Sequence, residues 1–217
     1  MNEKTAQFSL RGLFQPRDLT EGTPWKTILA FALPIIISYL LQQVYTISDA
    51  AIVGQTLTAG EVAGVNDTAS IIFIFLQFAF GVSAGFCVVT AAEVGAHHEA
   101  GVRRSLAAQI LLSAALTVLL TGLALLLLKP MLAWINVTPE SPEVYRAAHT
   151  YCAIIFAGIG AQLFYNFICS FLRSMGDSVT PLLFLLFSTI LNIGLDLLFI
   201  VSFHWGVAGA AIATVAA

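Results

Sequence analysis

Five long apolar runs, and the opening of a sixth, follow one another along this chain with short polar breaks between them. They lie at about 26–53, 62–91, 106–128, 143–172 and 180–203, and the sixth begins near Val207. Each complete run exceeds the roughly 20 apolar residues that cross a bilayer as helix. The breaks carry turn and cap chemistry. Gly176-Asp177-Ser178 is a turn sequence, and Thr180 before Pro181 predicts a hydroxyl cap with proline in the first helical turn. Trp134 and Trp205 fall at span ends, where indole rings favour the interface. This pattern predicts an all-α polytopic membrane protein: a tail over 1–24, then a membrane region over 25–217 with five complete helices and the start of a sixth. About ten residues of that last run rise only about 15 Å, so the sequence reads as truncated within its sixth helix.

Composition excludes a water-soluble domain. The 217 residues are 59% hydrophobic and 10% charged, with mean hydropathy +0.91, against about 25% charge in soluble domains. The net charge of -3 says less than the placement of the basic residues. Lys4, Arg11, Arg17 and Lys26 precede the first span, Arg103 and Arg104 separate the second and third, and Arg173 separates the fourth and fifth. All fall on one side of an alternating topology, and only Lys129 and Arg146 fall on the other. The positive-inside rule then places the N-terminus in the cytoplasm; the expected location is the cell's inner (plasma) membrane. Cys87, Cys152 and Cys169 are scattered through apolar stretches and read as buried hydrophobes, not as a disulfide or metal framework. No nucleophile–base pair, phosphate-binding glycine loop or metal-ligand cluster appears. Neither an enzyme nor a cofactor nor a nucleic-acid partner is expected; the bilayer is the expected surrounding.

The candidate chemistry lies inside the apolar runs. Asp49 and Asp196 are carboxylates at membrane depth, where a charge costs roughly 2.5–3.5 kcal/mol. Asn192 and Asp196, four apart, share a helix face, and Gln42, Tyr45 and Asp49 form one stripe on the first span. Counting from the span ends sets Asp49, Asp196 and Thr214 at a similar depth in the outer half of the bilayer. Two carboxylates, an amide and a hydroxyl form a hard-oxygen set suited to Na⁺ or a proton. Pro34 removes a backbone hydrogen bond and can bend the first span. Gln162 and Asn166 read as interhelical glue. Asp67 and Glu93 are expected near span ends, reaching the interface, and His97, His98 and Glu99 in a solvated turn. The Gly81…Gly85 and Gly206…Gly209 stretches read as close helix packing.

Four stretches together resemble the N-terminal half of multidrug and toxic compound extrusion (MATE) transporters. They are Ala32-Leu33-Pro34 with Ser48-Asp49-Ala50-Ala51-Ile52-Val53-Gly54; Gly81…Gly85…Ala92-Glu93-Val94-Gly95-Ala96; Leu172-Arg173-Ser174-Met175-Gly176-Asp177-Ser178 with Thr180-Pro181; and Leu191-Asn192-Ile193-Gly194-Leu195-Asp196 with Trp205-Gly206-Val207-Ala208-Gly209-Ala210-Ala211. The resemblance implies one six-helix lobe of a twelve-helix, two-lobed antiporter that exports amphipathic or cationic drugs by alternating access, coupled to Na⁺ or H⁺. It implies an ion site at Asp49, Asn192, Asp196 and Thr214. It also implies a substrate and protonation network at Gln42, Tyr45, Tyr151 and Asn166, bending at Pro34, and a missing C-terminal lobe as partner. Glu93 stands where the family often has glutamine. Two other readings remain: a flippase for lipid-linked precursors from the same superfamily, and a non-transporting truncated membrane protein.

Overall fold

The computed structural model describes residues 23–217. Apart from Thr23 and Pro24, the expected tail over 1–24, with Lys4, Arg11 and Arg17, lies outside the described residues. The elements are α1 (Pro24–Thr56), α2 (Ala59–Gly95), α3 (Glu99–Trp134), α4 (Pro142–Ala157), α5 (Ile159–Ser174), α6 (Val179–Asp196), a π-helical turn (Leu197–Ser202) and α7 (Gly206–Ala216). α1, α2, α3 and α6 with its π turn are long and apolar enough to cross a membrane, and α4 and α5 do so as a pair. The chain is a multi-pass membrane protein.

The fourth span departs from the single helix the sequence predicts. It bends by 47° between α4 and α5, at Gly158. A Cβ on Gly158 would run into the side chain of Val215 on α7, so glycine here lets α7 approach the bend. By contrast, α1 continues unbroken through Pro34, and the Ser38 hydroxyl donates to the Pro34 carbonyl at 2.8 Å.

Caps fix the helix starts. Thr58 and Glu61 form a reciprocal capping box at α2, with Glu61 N donating to Thr58 Oγ1 at 3.3 Å and Thr58 N to Glu61 Oε2 at 3.0 Å. The Thr58 hydroxyl also donates to Glu143 Oε1 at 2.6 Å, tying the α1–α2 turn to the first turn of α4. At α6 the expected cap is corrected. Asp177, not Thr180, supplies the capping oxygen: its Oδ1 accepts from the amides of Val179 (3.0 Å) and Thr180 (2.9 Å), and its Oδ2 accepts the Thr180 hydroxyl at 2.6 Å. One carboxylate oxygen takes two orphan helix amides and the other remains free for the Thr180 hydroxyl.

The core lies among α2, α3, α4 and α5, around Phe156, Leu132, Ile159 and Leu163. The Phe75 and Phe156 rings meet there at 5.0 Å. α1 is the least enclosed helix and packs mainly on α6. The outward face of α3 is apolar, as lipid requires: every exposed side chain between Leu106 and Leu128 is Ala, Leu, Ile or Val. Glu93 reaches the α2–α3 turn as expected and pairs with His98 at 2.7 Å. Asp67 lies about 12 Å past the α2 start at Ala59, in a helix of 37 residues that is far longer than the roughly 20 residues a bilayer needs.

Candidate functional site

A cavity of about 390 Å³ opens between α1, α2, the α4–α5 bend, α6 and α7. Its wall includes Gln42, Tyr45 and Asp49 from α1, Tyr151 from α4 and Thr214 from α7. The three-and-four spacing on α1 therefore turns one stripe to one space, as the sequence predicts. Tyr45 and Tyr151 both come to Thr214 from opposite helices, while the Thr214 hydroxyl donates back to the Ala210 carbonyl at 3.0 Å.

Asn192 and Asp196 sit behind this wall, each fully buried at 0% exposure. The carboxyls of Asp49 and Asp196 lie within reach of one another. Neither oxygen of Asp196, neither polar atom of Asn192, nor Oδ1 of Asp49 has a hydrogen-bond partner in the structure. Buried polar atoms are almost always paired. Five unpaired atoms in one place, three of them oxygens of two neighbouring carboxylates, have oxygens to offer and little to bind them. A cation or a proton meets that need; a second anion does not.

Local backbone structure sets this geometry. Asp196 is the last residue of α6, and the ladder widens into the π turn directly after it. Such turns recur at functional sites. The turn rests on α7, where a Cβ on Gly209 would stand 3.1 Å from the Phe199 carbonyl carbon and 3.2 Å from its oxygen. Glycine thus admits the widened backbone against α7, which also carries Thr214.

One residue of the expected network falls elsewhere. Asn166 is buried on the α5 stripe of Ile159, Leu163 and Ser170, and the cavity wall takes Ala161, Gln162 and Tyr165 from the same helix instead. Pro34 is not part of the wall. Tyr165 and Ser188 were missed by sequence reasoning, though each lies in an apolar run; nothing in the spacing of one helix tells which side meets a cavity built by five. Gln162, read as glue, lines the cavity. Among the described residues no group of three or more His, Cys, Asp or Glu could hold a metal.

A second buried polar cluster joins α2 and α3. Gln109 Nε2 donates to the Phe86 carbonyl at 3.0 Å, to Ser105 Oγ at 2.8 Å and to Thr90 Oγ1. Cys87 donates to Gln109 Oε1 at 3.3 Å, and Thr90 and Ser105 bond each other at 2.7 Å.

Comparison with known proteins agrees with this architecture. The profile of the family described as MatE matches residues 34–198. The probable multidrug resistance protein YpnP of Bacillus subtilis (strain 168) is 32% identical over 204 residues, which is 91% of this chain and 44% of that protein. A solved MOP superfamily transporter from Pyrococcus furiosus superposes with a TM-score of 0.84 at 26% identity, covering 91% of this chain and 43% of the other. An outward-facing multidrug resistance MATE family transporter superposes at 0.83 and 27% identity, covering 90% and 42%. The chain therefore spans less than half the length of the relatives it matches.

Proposed function

This chain belongs to the MATE family, and on that premise we propose that it is the N-terminal lobe of a cation-coupled exporter of amphipathic or cationic organic compounds. Na⁺ or H⁺ is the coupling ion, bound by Asp49, Asn192, Asp196 and Thr214. The observation that carries this reading is the set of unpaired buried atoms on Asp49, Asn192 and Asp196. Sodium would draw on the carboxylate, amide and hydroxyl oxygens; a proton would be shared between the two carboxyls.

Coupling follows from a common wall. Asp49 and Thr214 face the cavity on one side and the buried pair on the other. A cavity of about 390 Å³ is within the range of roughly 300–1,000 Å³ that takes drug-sized ligands. Its tyrosines and glutamines offer rings to an apolar body and hydrogen bonds to polar atoms. Ion binding neutralises Asp49 and removes the charge that attracts a cationic substrate; ion loss restores it. The two ligands thus favour opposite states of one wall, which is the requirement for exchange. Loss of the ion also sets two carboxylates against each other across α1 and α6, and α1 is the least enclosed helix and lacks one backbone bond at Pro34.

The cavity wall holds no Lys or Arg, the groups a phosphate headgroup needs, which supports organic cations over lipid-linked precursors. Basic side chains at Lys26, Arg103, Arg104 and Arg173, against Lys129 and Arg146, support a cytoplasmic N-terminal side in the plasma membrane. The test is Asp49→Asn in the full-length membrane protein that carries this sequence. Ethidium efflux driven by an imposed Na⁺ or proton gradient should collapse; efflux that stays gradient-driven at the parent rate removes the coupling role.

A further inference from the structure

The charges of α3 mark where the bilayer ends. No charged residue occurs between Arg104 and Lys129, and both of these are exposed. They lie about 38 Å apart along the helix axis, which brackets a hydrocarbon core of about 30 Å. Arg104 therefore stands at headgroup level. A groove of about 490 Å³ opens at that level, between the end of α2 and the start of α3. Glu93, His98 and Arg104 line its polar end, and Val89 and Ala108 its apolar end. Beyond the groove the same side of α3 continues through Leu111 and Ala115. Arg104, Ala108, Leu111 and Ala115 are all exposed and fall within about 60° of one another. A charged mouth thus runs into an aliphatic lane.

The polar end has one unanswered charge. Glu93 Oε2 is taken by His98 Nδ1 at 2.7 Å, and it rests over Gly101, where a Cβ would run into the carboxylate. Arg103 reaches Glu99 at 3.9 Å, on an exposed flank. The side chain of Arg104 has no hydrogen-bond or ion-pair partner among the described residues. The floor is held in place, because Ser105 lines the groove and bonds Thr90 and Gln109 beneath it. A preformed groove needs little ordering on binding.

We propose that this groove seats one anionic phospholipid, with its phosphate on the Arg104 guanidinium and an acyl chain along Ala108 and Leu111. The planar guanidinium fork matches phosphate oxygens, and basic pockets between membrane helices hold anionic headgroups. Free phosphate would use the polar end alone; the lane that continues from it calls for an acyl chain. On the orientation proposed above, the lipid belongs to the cytoplasmic leaflet. The site lies on α2 and α3, away from Asp49 and Asp196, and does not depend on the exporter reading.

The experiment uses the full-length membrane protein that carries this sequence, given equimolar phosphatidylglycerol and phosphatidylcholine of matched chains and read by native mass spectrometry. The parent should retain phosphatidylglycerol about fivefold over phosphatidylcholine. Arg104→Gln should bring that preference below about twofold, while Arg103→Gln leaves it at the parent value. Ala108→Phe fills the apolar end and should lower phosphatidylglycerol retention about threefold with Arg104 intact. Excess inorganic phosphate should not displace the lipid. An unchanged preference in Arg104→Gln overturns the proposal. So does an equal loss in Arg103→Gln and Arg104→Gln, which diffuse surface charge would produce. Displacement by inorganic phosphate, or unchanged retention in Ala108→Phe, overturns it in favour of a headgroup-only anion site.

Discussion

Around Gln109 every polar atom has found a partner; around Asp196 five buried polar atoms have none. Both clusters are buried in apolar helices; the first joins the consecutive helices α2 and α3, the second joins α1 to α6. The first uses neutral groups with matched donors and acceptors, so it closes on itself and holds α2 to α3. The second concentrates acceptors, two carboxylates and an amide oxygen, beside the Asn192 amide nitrogen, which has no partner either. An open valence of this kind weakens packing unless something from outside fills it. Completeness, more than polarity or depth, separates helix glue from a binding site in this lobe.

The sharpest way to break that comparison is to neutralise the open cluster. Asp196→Asn should reduce gradient-driven efflux at least about tenfold, equivalent to ~1.4 kcal/mol, without lowering the thermal midpoint in detergent. A lowered midpoint with normal efflux would make Asp196 glue after all. Gly158→Ala comes next: the added methyl meets Val215, so it should destabilise by ~1–3 kcal/mol and weaken ion affinity by displacing Thr214. Val215→Ala in the same chain should recover most of both losses, read by thermal unfolding and ion titration. Gln109→Leu should have the smallest effect. It removes contacts to three α2 partners at ~0.6 kcal/mol each, a loss of ~1–2 kcal/mol, and leaves ion affinity and efflux unchanged. A loss of coupling in Gln109→Leu would join the two clusters into one system.

Much of this was legible in the sequence because lipid punishes misplacement. Six helical segments followed from apolar runs, and Asp49, Asn192, Asp196 and Thr214 stood out as polar groups in stretches that should hold none. The structure brings those four to one place beside a cavity. What escaped the sequence depends on neighbours. The bend at Gly158 lies against Val215 of α7, 57 residues later. The π turn after Asp196 depends on Gly209, a contact no local pattern encodes. Asn166 sits on the core side of α5 because Tyr165 and Gln162 take the cavity side, and which face of α5 turns inward is decided by α2 and α3.

The widened turn that follows Asp196 also carries a consequence for chain length. A π segment accommodates one residue more than an α-helix of the same rise. Everything beyond it, including Trp205, whose ring stacks on Phe199 of the turn at 5.0 Å, is rotated by about 100° from where a regular helix would put it. Removing a single residue anywhere in 197–202 would relax the backbone into an ordinary spiral and swing Trp205 and α7 to another bearing. Spacing in this stretch is therefore as strictly specified as side-chain identity, and a one-residue deletion would do more harm there than most substitutions.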